Sequence, residues 1–385
     1  MSKTNRIAIV GAGVAGIALA VLATRQGYQV SLYERDNQIS SIGAGVTLWP
    51  NAMFVLQQMG LEEEIKRMGG RPGLMRQFDH YGVQQGEFNI EEVNMLSGFS
   101  SVTILRRDLM SILASALDTL GVERHFGRPM TLQDIAGLKQ KFDLVVGADG
   151  RMNSVVRQAL YEEEVRPCYQ GFINVIGISQ LQESVLEHSI HDVRAPGERF
   201  GIVPVRGDLC YWAGAWRTDI EKGRALSAWY DEMHNRFLNW PDPVRHVLKS
   251  YDSASLRCIF VHDLDPLPYW HRGNVLIIGD AAHASLPTSG QGACQALEDA
   301  WHLSRLLGTG GQLDGVLTDF YQQRIAKTSA AQAAGRQMAQ RIFSGAAEPT
   351  SPPSGISAEQ LSQLWMQGLE PIKRQSVSSG RMALR

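Results

Sequence analysis

The first apolar run of the chain changes texture half-way. Ile7-Ala8-Ile9-Val10 is β-branched and predicts a buried strand, whereas Ile17 to Ala23 is alanine-rich and predicts a helix. Val30-Ser31-Leu32-Tyr33-Glu34 predicts a second strand, so residues 6–34 read as strand, glycine turn, helix, strand. Val102 to Leu105 predicts another strand, and Leu109, Ile112, Leu113 and Leu117 follow at helical spacing. Phe142 to Val146 and Asn274 to Ile278 are short buried-strand runs, the second followed by a helical pattern. Between about Val165 and Arg257 the texture becomes alternating and rich in Trp, Tyr and Phe, as in Leu209 to Trp216. That alternation predicts an antiparallel sheet with one face covered. Residues Ser344 to Ser357, with Pro349, Pro352 and Pro353, read as a linker to a polar C-terminal segment.

Bulk properties narrow the classes without naming a function. The 385 residues are 44% hydrophobic and 20% charged, as in an ordinary globular protein with room for two or three domains. A net charge of -2 offers no basic surface for nucleic acid or an anionic membrane. Cys168, Cys210, Cys258 and Cys294 are scattered without C-x-x-C spacing, which argues against a zinc site or disulfide framework and fits a cytoplasmic location. Lys3 and Arg6 before the run Ile7 to Ala23 imitate a signal peptide. The glycines inside that run and its strand-helix division argue against both a leader and a membrane span.

Those glycines carry the first chemical signal. Gly11-Ala12-Gly13-Val14-Ala15-Gly16 follows a strand and opens a helix. Gly11 allows the tight turn, Gly13 lets a pyrophosphate approach the backbone, and Gly16 lets helix and strand pack closely. Phosphates then meet the unpaired N–H groups and positive dipole end of the helix. Glu34, with Arg35 beside it, lies at the end of the second strand, where an acid binds ribose hydroxyls. This unit predicts dinucleotide binding but does not separate FAD from NAD.

Two later motifs make that separation through a resemblance. Gly147-Ala148-Asp149-Gly150, followed by Ser154 and Arg157, resembles the Asp-Gly motif of single-component (group A) FAD-dependent aromatic hydroxylases. Gly279-Asp280-Ala281-Ala282-His283, then Pro287 and Gly290-Gln291-Gly292-Ala293, resembles the Gly-Asp motif of the same flavoprotein monooxygenases. Gly43-Ala44-Gly45-Val46 with Pro50-Asn51-Ala52 is similar to that family's segment beneath the isoalloxazine, and Arg106 matches its strand-end arginine. The loop from Gly150 to Arg157 departs from the pattern by being one residue longer, which leaves the contacts of Arg157 open. The resemblance covers roughly residues 6–160 and 270–330.

It implies an α/β fold: a Rossmann-like FAD-binding domain (1–72, 97–162 and 270–343) interrupted by an antiparallel β-sheet substrate domain (73–96 and 163–269). Residues 344–385 would be linker and C-terminal segment. Asp280 would accept a hydrogen bond from a ribityl hydroxyl; for Gly-Asp alone, a helix N-cap is the ordinary reading. Gly290 and Gly292 would let the ring approach the backbone, and the turn Gly290 to Ala293 would aim N–H groups at the N1–C2=O edge. Pro287 would shape the wall beside the reactive C4a. Arg106 would pair with the phosphate or ribityl region, or else be a solvated arginine opening a helix.

Candidate substrate groups remain open at this stage. Strand alternation puts Arg199, Gly201 and Val203 on one face, where Arg199 would hold an acidic or phenolate substrate or lie exposed. Tyr211, Trp212 and Trp216 are pocket groups or core aromatics. His283 is a general base or, more in keeping with the family position, a support for its loop. The resemblance implies that NAD(P)H, as a transient electron donor, reduces the flavin, that O2 adds at C4a, and that the hydroperoxide passes hydroxyl to a small aromatic or heteroaromatic ring. Rivals are a halogenase, whose Trp-x-Trp-x-Ile is absent, a dehydrogenase that does not use oxygen, and a flavin-bound redox sensor. No nucleic-acid, membrane or metal partner is expected; the chain would be a monomer or homodimer.

Overall fold

The computed structural model describes residues 5–40, 43–344 and 356–370. The opening unit is β1 (Arg6–Val10), α1 (Val14–Arg25) and β2 (Gln29–Tyr33). β3 (Gly45–Leu48), α2 (Pro50–Gln58) and α3 (Glu62–Met68) lead to a hairpin of β4 (Leu74–Asp79) and β5 (Gln84–Asn89). Next come α4 (Ile90–Ser97), β6 (Val102–Leu105), α5 (Arg106–Asp118), β7 (Glu123–His125), α6 (Leu132–Lys141), β8 (Leu144–Gly147) and α7 (Val155–Leu160). The aromatic stretch holds β9 (Cys168–Gln180), α8 (Glu183–Leu186), β10 (Ser189–Ala195), β11 (Glu198–Pro204), β12 (Leu209–Arg217), α9 (Leu226–Phe237), α10 (Val244–Ser250) and β13 (Arg257–Asp263). The remainder is β14 (His271–Arg272), β15 (Val275–Ile277), α11 (Asp280–His283), α12 (Gly292–Leu307), α13 (Leu313–Phe343) and α14 (Ala358–Met366).

One sheet has the order β14-β15-β8-β1-β2-β7. All its pairs are parallel except β14 with β15. β8 and β15 are buried throughout, and β1 from Ile7 onward, because helices cover both faces. The carboxyl ends of the neighbouring strands β1, β8 and β15 run into Gly11, Gly147-Ala148-Asp149-Gly150 and Gly279-Asp280. Parallel pairing thus gathers three motifs, far apart in sequence, at one crevice, where open α/β sheets bind ligands.

The second sheet has the order β13-β9-β12-β11-β10-β4-β5. It departs from the antiparallel expectation at one seam: β10 and β4 pair in parallel. β4 enters this sheet from the early part of the chain, and the long stretch between it and β10 permits same-direction pairing that a hairpin forbids. Alternation divides the faces of this sheet. Phe200, Ile202, Trp212 and Trp216 point into a core with Trp229, Met233 and Phe237 of α9. Tyr211, on the opposite face, packs with Ala44, Leu105, Ile178 and Val205. A small antiparallel pair, β3 with β6, lies between the sheets in sequence and space.

The C-terminal segment departs from its polar reading. α14 is capped by Ser357 with Gln360 in a capping box, and its Trp365 is buried against Trp49. The proposed linker lies largely outside the described residues.

Candidate cofactor and substrate site

Gly11 shows why the first motif requires glycine. Its φ is +106°, and a Cβ there would meet the backbone of Ala148 and Asp149. Gly16 is equally closed, facing Gly11 O, whereas a Cβ on Gly13 would meet nothing within 4 Å. Gly13 therefore leaves the approach to the helix start open. Val14 and Ala15 are buried in the first turn of α1. Glu34 reaches across the crevice: its Oε2 accepts from Ala12 N at 2.7 Å and its Oε1 from Asp36 N at 3.0 Å. A carboxylate has about four acceptor sites, so ribose hydroxyls can still be bound there. Arg35 is turned to solvent, its side chain 68% exposed beside Asp36, and is not brought into the crevice.

Asp149 is engaged by its own loop. Ser154 Oγ donates to it at 2.5 Å and Val156 N at 3.2 Å, while burial raises its pKa. The extra residue of this loop does not displace Arg157. The guanidinium is buried and donates to Ala281 O at 2.9 Å and Arg151 O at 2.6 Å. It joins the second motif to the third.

At the third strand end, Gly279 is buried and Asp280 exposed at the start of α11. Arg106 opens α5 on the other side of the crevice and packs on Gly43. Its guanidinium is desolvated, which lowers its pKa; the charge of Asp280 acts in the opposite sense. It makes no hydrogen bond or ion pair among the described residues. A desolvated cation without a partner calls for an anion, so the solvated reading of Arg106 fails. Arg107, by contrast, is exposed beside Asp108.

Pro287 starts an exposed turn ending at Gly290, whose φ of +62° reverses the chain into α12. Gly292 and Ala293 supply the first residues of α12, whose leading N–H groups have no carbonyl within the helix. Gln291 is buried, and its Oε1 accepts from Asn51 Nδ2 at 2.9 Å and Gln295 Nε2 at 3.1 Å. Gly45 and Val46 form the first half of β3, opposite Leu105 and Ile104.

A buried charge network beneath this turn escaped the motif search. Asp299 accepts from Gly279 N at 2.8 Å, Arg324 Nε at 2.8 Å and His283 Nε2 at 2.6 Å. Burial pushes its carboxyl up, but His283 and Arg324 outweigh this and hold it below the usual carboxylate range. Glu298 pairs with Arg324 at 2.7 Å and Lys327 at 2.8 Å, and accepts from Asn51 at 2.6 Å. His283 is thus tied to a carboxylate behind its loop and supports the turn at Gly279. The available signal was two adjacent acids inside an otherwise apolar helical pattern, together with Arg324 and Lys327 in the next helix.

The sheet face opposite the tryptophans supplies the other wall. Tyr211 covers Gly45, where any side chain would collide with the ring, and its hydroxyl lies 3.0 Å from Thr47 Oγ1. Burial pushes that hydroxyl's pKa well above its ordinary value. Arg199 shares this face, two strand positions from Gly201, itself paired with Ala213. Asp192, 3% exposed in its side chain, binds Arg199 Nε at 2.6 Å and Arg194 Nη2 at 2.7 Å. Burial raises the Asp192 pKa, yet the two arginines hold it at about 2. A Cβ on Gly201 would meet only Arg199 Nη2, at 3.9 Å. Trp212 and Trp216 lie in the core on the far face, in keeping with the core alternative of their reading.

An open glycine turn at a helix start, an acid at the second strand end and a half-buried arginine without a hydrogen bond or ion pair for its guanidinium among the described residues fit an FAD site. A sequence model described as "FAD binding domain" matches residues 4–334. The chain belongs to this FAD-binding family. Among its relatives, "Aurachin C monooxygenase/isomerase" of Stigmatella aurantiaca is 28% identical over 331 residues, 84% of this chain and 86% of the relative. "6-hydroxynicotinate 3-monooxygenase" of Bordetella bronchiseptica is 28% identical over 335 residues, 82% and 85% of the two chains. Klebsiella pneumoniae HpxO, solved with FAD and uric acid, superposes with a TM-score of 0.79 at 20% identity, covering 88% of this chain and 89% of that one. The chain is accordingly an FAD-dependent oxidoreductase of monooxygenase type, with NAD(P)H as electron donor. No described helix is long and apolar enough to cross a membrane.

Proposed function

We propose that this FAD-dependent monooxygenase hydroxylates a small aromatic or heteroaromatic ring bearing an acidic or phenolic group, bound between the flavin and the Arg199–Tyr211 face of the large sheet. The observation that carries this reading is the arrangement around Asp192. Asp192 engages Arg199 through its Nε, so the Arg199 Nη donors, which have no hydrogen-bond partner among the described residues, lie beside the open space at Gly201. Such a fork matches a carboxylate or phenolate oxygen. The neighbouring Gly201 and Ala213 leave room for a flat ring, and Tyr211 would close its edge. The relatives named for urate, 6-hydroxynicotinate and salicylate support a substrate of this class.

FAD, when bound and reduced by NAD(P)H, would supply the activation of O2, one atom of which goes to the ring while the other leaves as water. The chain's own residues do the rest. The N–H groups at the start of α12 would lie towards the part of the flavin that gains negative charge, and so would favour the reduced cofactor. Arg106 would hold the cofactor's phosphates or ribityl chain, and Asp280 would accept from a ribityl hydroxyl. Arg199 would orient the substrate, and Tyr211 stays protonated because its hydroxyl is buried.

The test is a panel of aromatic acids, phenols and N-heterocycles, scored together by NAD(P)H oxidation, O2 consumption and hydroxylated product. At least one anionic compound should stimulate all three. Arg199→Met should raise its KM about tenfold to a hundredfold, as expected for loss of a charged hydrogen bond. Substrate oxidation without O2 uptake would establish a dehydrogenase instead. A preference for neutral rings, with no effect of Arg199→Met, would remove Arg199 from the site.

A further inference from the structure

The turn proposed to meet the flavin is held from behind by a helix outside the family match. Trp49 Nε1 donates to Gly290 O at 2.9 Å, and the Trp49 and Trp365 rings lie 4.8 Å apart between centroids. Trp49 is the residue before α2; Trp365 belongs to α14, beyond the matched residues 4–334. A second line runs from the same residue of α14. Lys327 Nζ donates to Trp365 O at 2.6 Å and pairs with Glu298. Glu298 accepts from Asn51 Nδ2, and the same nitrogen contacts Gln291 Oε1. One route is aromatic and the other ionic, and both converge on the adjacent residues Gly290 and Gln291. α14 itself is anchored on α4 through Ser362 and Ser97, whose hydroxyls are 2.8 Å apart.

We propose that α14 is a built-in positioning element for the cofactor, and that Trp49, Trp365 and Lys327 are positioning residues acting through the Gly290-Gln291 turn. This rests on the reading that the turn faces the flavin. The turn is also tied on its other side, by Thr288 Oγ1 donating to Gly335 O of α13 at 2.7 Å and by the Ser289 hydroxyl, which accepts from Gln291 N at 3.2 Å; the Trp49 bond is what fixes the Gly290 carbonyl itself. A carbonyl fixed by an indole N–H cannot rotate freely, so the N–H groups just after it keep their aim. Pre-aligned dipoles stabilise developing negative charge without having to reorganise. Loosening them therefore disfavours reduced FAD more than oxidised FAD.

The full-length, FAD-loaded protein is compared with its Trp49→Phe, Trp365→Leu, Lys327→Met and Gly292→Val variants. FAD dissociation and the flavin reduction potential are measured at saturating cofactor. Trp49→Phe keeps an aromatic ring and removes the donor. It should weaken FAD binding about threefold to tenfold, the range of one hydrogen bond. A further threefold loss for the reduced form lowers the two-electron potential by about 15 mV. Trp365→Leu and Lys327→Met should each move both quantities the same way, and Trp365→Phe should restore them. A purely structural α14 would lower thermal stability and leave the potential at its wild-type value, which overturns the proposal. Wild-type affinity and potential in Trp49→Phe, with both lowered in Gly292→Val, would overturn it while the turn's role stands. No change in Gly292→Val would remove the turn's role and the proposal together. If Trp365→Leu does not fold, Trp49→Phe and Lys327→Met decide the matter alone.

Discussion

Replacing Asp299 by Asn tests the buried network in its most exposed assumption, that a carboxylate is required there. Asp299 is fully buried, and three donors converge on it: Gly279 N–H and His283 Nε2 on one oxygen, Arg324 Nε on the other. Asn keeps the shape but offers one oxygen and one NH2. Whichever way the amide turns, at least one N–H faces another N–H, and Arg324 loses one of its two carboxylates. Removing one member of a buried charge pair costs about 3–5 kcal/mol. At about 2 °C per kcal/mol for a chain of this size, the apo protein should melt about 6–10 °C lower. Arg324→Met should cost a similar amount, and the double variant clearly less than the sum, because neither single partner is then stranded. The pH dependence follows from the same geometry. The folded pKa of Asp299 lies below its unfolded value, so its stabilisation is present above about pH 4 and disappears as pH falls further. Calorimetry of apo wild type, both single variants and the double variant measures all of this. A shift under 2 °C for Asp299→Asn, or strictly additive costs, would refute the reasoning.

Two further outcomes are expected. Asp280→Ala should weaken FAD binding about tenfold to a hundredfold through loss of one hydrogen bond of about 1–3 kcal/mol, read by fluorescence titration; an unchanged affinity would withdraw the ribityl assignment. Burial lowers His191 and His302 from 6.5 to about 4, so both resist protonation in the fold. Their contribution is whole above about pH 6.5 and is lost as pH falls towards 4, at up to about 1.4 kcal/mol per pH unit for each histidine. Gln at both positions should flatten chemical-denaturation stability across that window, and an unaltered slope would contradict the burial argument.

What was legible in the sequence was whatever has local chemistry. Gly11 must turn with positive φ against Ala148, so it can be read from its own neighbourhood, as can a strand of apolar residues running into it. Period-two alternation puts Tyr211 and Trp212 on opposite faces, but they stayed grouped because alternation does not say which face is covered. That depends on α9, which covers the tryptophans and leaves Tyr211 to close on Gly45. The parallel seam between β4 and β10 was hidden because strand direction is set by where the chain enters the sheet. Asp149 reads from its motif as a cofactor residue, and the motif does not show that its oxygens also hold the loop through Ser154 and Val156. Trp365 carried no signal because its counterpart, Trp49, is over three hundred residues away.

The placement of charge around the crevice separates support from function. Beneath the turn, Glu298 and Asp299 carry two negative charges against the two positive charges of Arg324 and Lys327. These residues sit within ion-pair distance of one another. Such a set is close to neutral seen from outside, and its hydrogen bonds are satisfied internally. It can hold Gly279, Asn51 and Gln291 in place without imposing a strong field on a ligand. The charges proposed to serve ligands lie elsewhere: Arg106, without a hydrogen bond or ion pair for its guanidinium among the described residues, and Arg199, held by Asp192 through Nε. Both are positive, and they lie on different elements, Arg106 at the start of α5 and Arg199 on β11. A cofactor with a pyrophosphate and a substrate with an anionic group are the two ligands that would neutralise them. On this argument, charge removal has opposite signatures in the two sets. In the buried network it should lower the melting temperature with or without ligands, whereas at Arg106 or Arg199 it should spare the apo fold and weaken one ligand each.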